Sequence, residues 1–165
     1  YFCMTDQVND LHSPQFSSLI EELCPLLDQF SSTLDTESEC IKKNLPEQLL
    51  ETANIKNQLA NQLTITTTKI ESVLTPSGLS LNTLQNSPEF KTLTKVTQNH
   101  IAEIMVKLEI CHDKNLSNGM SIKMISNINK HVLDLISGKK QDVKLYGSKG
   151  EKTISSGSQS TLGKA

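Results

Sequence analysis

Apolar residues recur along this chain at steps of three and four, the spacing that lays one stripe along a helix. From Pro14 the stripe runs Phe16, Leu19, Ile20, Leu23, Leu27, Phe30, Leu34 and Ile41, predicting a first helix over about 14–43. A second, over about 46–74, follows from Leu49, Leu50, Ala53, Leu59, Leu63, Ile70, Val73 and Leu74. Thr64-Ile65-Thr66-Thr67-Thr68 is β-branched and would suit a strand alone, but the flanking 3.6-residue period favours helix. A third helix is predicted over about 88–137 from a seam of Ile101, Ile104, Leu108, Cys111, Ile122, Ile125, Val132 and Ile136, interrupted in register by Asn115, Asn118 and Asn129.

Proline and glycine set the punctuation. All five prolines lie before residue 89, and five of the seven glycines lie after residue 137. Ser13-Pro14 and Ser87-Pro88 each read as an N-cap followed by Pro at the first helical position, where no backbone N–H is required. Pro25 falls inside the first stripe and is expected to kink that helix, at a cost of roughly 3 kcal/mol against alanine. Thr75-Pro76-Ser77-Gly78 ends the second helix, and 75–87 reads as a polar connection.

The expected fold is therefore all-α, an elongated antiparallel bundle or coiled coil of three long helices, with an extension at 1–13, the bundle at 14–137 and a tail at 138–165. The third helix is too long for its partners: the first two span roughly 45 Å each and the third roughly 75 Å. Laid antiparallel on the second, it reaches Asn118-Gly119 at the level of the first turn, so 120–137 projects. There a second stripe, Leu116, Met120, Met124, Ile128 and Leu135, lies beside the seam, more apolar surface than one neighbouring helix covers. We read this overhang as a binding surface for another protein. The alternative is that Asn118-Gly119 is a turn and 120–137 folds back as a fourth helix.

Composition narrows the function. The 165 residues are 36% hydrophobic and 4% aromatic, enough for about one domain. Every basic residue is Lys, so bidentate Arg recognition of phosphate or carboxylate is excluded. The net charge of -2 is uneven: 138–165 holds six Lys against Asp142 and Glu151, leaving -6 on 1–137. The tail is rich in Gly, Ser and Lys, cannot bury enough surface to offset ordering entropy, and is expected to be disordered in isolation. Tyr146 beside Leu145 stands out there as a candidate linear docking motif. With one stacking aromatic and no Arg, the tail is a poor nucleic-acid binder.

Candidate chemistry is thin. Cys3, Cys24, Cys40 and Cys111 form no C-x-x-C and read as free thiols of a reducing compartment. There is no signal-peptide pattern at the start and no run of about 18 apolar residues, so neither secretion nor membrane insertion is expected. Gly147–Thr153 lacks the Gly that must precede the Lys of a phosphate loop. Glu109, Cys111, His112 and Asp113 are metal-ligand types, but Cys111 lies on the seam and His112 about 100° away, which reads as core Cys and solvated His. Glu21-Glu22 and Glu37/Glu39 read as the solvated face of the first helix. No catalytic residue, cofactor or metal site is expected, and no enzyme.

In order, these features resemble the FlgN family of flagellar export chaperones. The resemblance rests on Leu26-Leu27 through Glu37/Glu39 and Ile41, then Asn44-Leu45, Leu49-Leu50, Lys56 and Leu59; on Asn115-x-x-Asn118-Gly119 with Ile122 and Ile125; and most specifically on Leu145-Tyr146-Gly147-x-x-Gly150. It implies a cytoplasmic, all-helical, non-enzymatic bacterial chaperone that binds hook–filament junction proteins, keeps them from polymerising early and delivers them to the type III export gate. It also implies client contact through the last helix, matching Met120, Ile122, Met124, Ile125, Ile128, Val132 and Leu135 here, and gate docking through Leu145, Tyr146 and Gly147. Pro25 and the long 75–87 connection depart from the family pattern. A reading from another class is a structural coiled coil in which 120–137 pairs with itself and the tail is a linker.

Overall fold

A computed structural model of the chain describes residues 10–137. Its long helices are α1 (Pro14–Lys42), α2 (Pro46–Leu74) and α4 (Lys95–Ile136); α3 (Leu81–Leu84) is a single turn between them, flanked by 3-10 turns at Thr75–Ser77 and Pro88–Thr92. No strand occurs among the described residues. The tail, with Leu145, Tyr146 and Gly147, lies outside them. The chain divides into two units, Tyr1–Met124 and Ile125–Ala165.

Local chemistry explains where α1 starts and stops. Ser13 caps it, its side chain accepting from the Phe16 N–H at 3.2 Å ahead of Pro14. At the other end the Leu45 N–H bonds to the Cys40 carbonyl and the Asn44 N–H to the Ile41 carbonyl, with Asn44 left-handed at φ 54. This is a Schellman turn, and Asn is the non-glycine residue that best tolerates it. Pro25 does not interrupt α1. It sits on the exposed face, as does Glu21, whose carbonyl loses its intrahelical donor and can turn to water instead.

The threonine run of α2 is helical because its hydroxyls find bonds within the helix. Thr64 donates to the Ala60 carbonyl and Thr67 to that of Leu63, both at 2.8 Å.

Two stretches differ from the sequence expectation. The 75–87 connection carries α3, on which Leu81 and Leu84 are buried; a reciprocal capping box between Ser80 and Thr83 nucleates the turn. The long helix begins at Lys95 instead of Pro88. Ser87 caps only the 3-10 turn, after which Leu93 is extended and buried, and Thr94 starts the helix proper by accepting from the Thr97 N–H. The break lets Leu93, with half-buried Phe90 before it, reach the core.

Within Tyr1–Met124, α1 and α2 form an antiparallel hairpin. Glu22 meets Thr66, Glu37 meets Lys56 and Cys40 meets Thr52, so each advance along α1 is a retreat along α2. Helix α4 runs parallel to α1, from Ser17 with Thr97 to Leu34 with Asn118, and every inter-helix polar contact it makes among those described is with α1. The expected placement of the third helix against the second is thus incomplete, since its register is set by the first. The apolar core gathers at one end of this unit: Phe16, Ile20, Leu23 and Leu27 of α1, Ile70 and Leu74 of α2, Leu84, and Ile101 and Ile104 of α4. Toward the α1–α2 turn, the buried set becomes Glu37, Cys40, Thr52 and Asn118.

Candidate functional site

Glu37, Lys56 and Asn118 join the three long helices at that polar end. Glu37 is 1% exposed; one carboxylate oxygen accepts from Lys56 Nζ at 2.6 Å and the other from Asn118 Nδ2 at 2.9 Å. Asn118, 4% exposed, also donates to the Leu34 carbonyl at 2.8 Å. The reading of Glu37 as part of a solvated acidic face is therefore corrected. It follows Leu34 by three residues and precedes Ile41 by four, so it lies on the buried stripe, where a carboxylate persists only with charged or hydrogen-bonding partners. Each of these three residues belongs to a sequence patch that carries the family resemblance.

A ladder of lysines fixes α4 on α1. Lys107 reaches Asp28 and Lys114 reaches Asp35, each at 2.8 Å, with both cations and both anions spaced by seven residues. Hydrogen bonds from Lys107 to Asp28 and then Glu103 hold its ammonium well above the usual lysine range. Burial pushes the Cys24 and Cys111 thiols up, which makes them poor nucleophiles. Cys24, Cys40 and Cys111 are free.

Helix α4 is continuous through Asn118-Gly119, so the turn alternative is not what forms. Asn118 is its last buried residue. All seven sequence-proposed client residues, Met120, Ile122, Met124, Ile125, Ile128, Val132 and Leu135, are exposed on it, with Leu133 and Ile136 beside them; exposure runs from 38% at Ile122 and Ile125 to 78% at Ile136. Leu133 is not among the sequence-proposed residues because it lies outside both stripes, about 20° past Ile122 on the far side of the seam. Exposed apolar side chains this closely grouped are uncommon on a monomer surface unless a partner covers them.

The remaining candidates stay apart or exposed. Glu109, His112 and Asp113 all face solvent, and no group of three or more His, Cys, Asp or Glu among the described residues is placed to hold a metal ion. A shallow depression of about 450 Å³ between α1 and α2, lined by Gln29, Ser32, Thr33, Ile55, Gln58 and Gln62, holds no titratable group. No helix among the described residues is long and apolar enough to cross a membrane.

Comparison with curated proteins and with solved structures returned no match. The family model described as FlgN protein matches residues 4–154, nearly the whole chain. The chain belongs to the FlgN family, the flagellar export chaperone family that its sequence resembles.

Proposed function

We propose that this protein is a cytoplasmic bacterial chaperone of flagellar export that binds hook–filament junction proteins along α4. In this reading, Met120, Ile122, Met124, Ile125, Ile128, Val132 and Leu135 receive an amphipathic helix of the client, in the helix-in-groove or coiled-coil mode. The observation that carries it is the run of exposed apolar side chains that begins where burial of α4 ends, at Asn118. Family membership supplies the flagellar context. Clients that polymerise through apolar helices are held back by mass action when those helices are masked. Met120 and Met124 add side chains that adapt to more than one partner surface.

The test mixes the protein with a hook–filament junction protein of the same genome and follows the mixture by size-exclusion with light scattering. Full-length protein is expected to give a 1:1 complex and a chain ending at Asn118 none. Absence of a complex with either, together with a concentration-independent dimer of the protein alone, would replace the chaperone reading with that of a self-associating coiled coil.

Delivery to the export gate falls to Leu145, Tyr146 and Gly147 in this proposal, on the strength of the family motif. Tyr146→Ala is expected to retain the client and lose gate binding. If both bindings are unchanged in pull-downs with the gate's cytoplasmic part, the motif has another role.

A further inference from the structure

Within the Tyr1–Met124 unit, α4 is held in two different ways along its length. Between Lys95 and Leu108 it is anchored in the apolar core, where Ile101 and Ile104 are fully buried. Between Glu109 and Met124 only Cys111 and Asn118 are buried. The bonds of that stretch to α1 are polar. Cys111 Sγ donates to the Leu27 carbonyl at 3.7 Å, Lys114 Nζ to Ser31 and Asp35, and Asn118 Nδ2 to the Leu34 carbonyl and Glu37. Bonds of this kind are exchanged for bonds to water when a helix leaves, so they hold it less firmly than a buried aliphatic stripe does.

The same stretch is a poor helix by itself. Asn115, Ser117, Asn118, Gly119 and Ser121 are all weak helix formers. Nothing in the packing requires the glycine: Gly119 has no positive φ, and a methyl group added there would meet nothing within 4 Å. Alanine fits that position and would favour the helical state about 5-fold.

Departure of this stretch strands no charge. Glu37 keeps Lys56, because their 2.6 Å bond lies within the α1–α2 hairpin, and water replaces the Asn118 amide. At this level the apolar core is reduced to Leu34, whose carbonyl Asn118 holds, and Cys111.

We propose that residues 109–124 of α4 are a strap that unwinds from α1 while the core end stays folded, uncovering Cys111 and the Leu34–Glu37 turn of α1. The α1–α2 hairpin and residues 95–108 keep their packing in the open form. The opening is intrinsic to the chain, needs no partner and does not rest on the chaperone reading.

The experiment uses the full-length protein alone. Labelling of Cys111 by N-ethylmaleimide is resolved by peptide mass spectrometry at increasing urea below the unfolding midpoint, beside hydrogen exchange of the Ile101 and Ile104 amides. In the closed form the thiol is buried and its pKa is raised by that burial, so labelling reports the open form. Cys111 is expected to label at least about 10-fold faster than global unfolding allows and nearly independently of urea, while the core amides follow the global urea dependence.

Two variants locate the opening. Gly119→Ala is expected to slow Cys111 labelling about 5-fold, because the open form has lost the helix at that residue. Ile70→Val, in the α2 part of the core, is expected to shift the global equilibrium about 5-fold toward unfolding and leave Cys111 labelling unchanged. Cys111 labelling that follows the global urea dependence, or that Ile70→Val accelerates as much as it does core exchange, overturns the strap. Unchanged labelling in Gly119→Ala overturns the unwinding, since α4 would then leave as an intact helix.

Discussion

Replacing Lys56 with methionine is expected to lower the unfolding free energy by about 3–5 kcal/mol, while the double variant Glu37→Met/Lys56→Met recovers most of that loss. The asymmetry follows from burial. Glu37 is 1% exposed, and Lys56 is the only cation bonded to it among the described residues. Methionine keeps much of the lysine stem's packing but removes the charge, leaving the Glu37 carboxylate with Asn118 as its remaining donor in a site that water reaches poorly. Removing both charges ends that penalty and puts two flexible apolar side chains at a place where α1 and α2 already meet. Asn118 then keeps its bond to the Leu34 carbonyl, so no buried amide is orphaned entirely. Urea denaturation of the four members of the cycle measures this, with a coupling of several kcal/mol expected between the two sites. A loss below about 1 kcal/mol for Lys56→Met alone would mean that Glu37 is effectively hydrated and the contact is an ordinary surface pair.

The position of this cluster gives it a second consequence. Apolar packing holds the other end of the Tyr1–Met124 unit, where Phe16, Ile20, Leu74, Leu84 and Ile101 lie. Hydrophobic packing is tolerant of small slips, whereas a carboxylate that must meet a lysine of α2 and an amide of α4 is satisfied in one register only. The lysine ladder of α4 on α1 acts in the same direction with partly exposed pairs, each worth about 1 kcal/mol or less. Together they fix the point along α4 at which burial ends.

How far the sequence discloses this depends on the kind of signal. Helix identity was legible because long stripes at a 3.6-residue period are a local property. Ser13-Pro14 and Pro46 mark helix starts through chemistry confined to one turn. The buried cluster is different: Glu37 stands beside Glu39 and two lysines, and a charged run near a helix end usually reads as solvated. Its partners are 19 and 81 residues away, so only tertiary packing brings them together. The available clue was its spacing from Leu34 and Ile41, which outweighs residue type when the stripe is otherwise unbroken. The start of α4 was hidden by two caps in series, since Ser87 announces a helix that stops within two turns and Thr94 then begins another. Leu81 and Leu84 were masked by the polar residues around them, and their capping box uses Thr83 where Glu or Gln is the usual signal. On α4 the stripes themselves were plain, and their exposure required the structure.

That exposure separates binding from stability in a way few apolar positions allow. Changing Ile128 and Val132 together to aspartate is expected to weaken the junction-protein complex by at least about 100-fold, because each buried aliphatic side chain contributes about 1.5–3 kcal/mol and each new carboxylate must be desolvated as well. The free protein should melt within about 2 °C of wild type, since Ile128 and Val132 are 49% and 47% exposed and lie outside the apolar core. Aspartate at Ile101 or Ile104, by contrast, places a charge among fully buried side chains and is expected to unfold the protein. Titration calorimetry and thermal melts on the same preparations decide between the two roles. Undiminished affinity in the double variant would move the client site off α4. A melting point that falls with the affinity would mean that these side chains are covered within the free protein, and the stripe would then belong to the fold instead of to a partner.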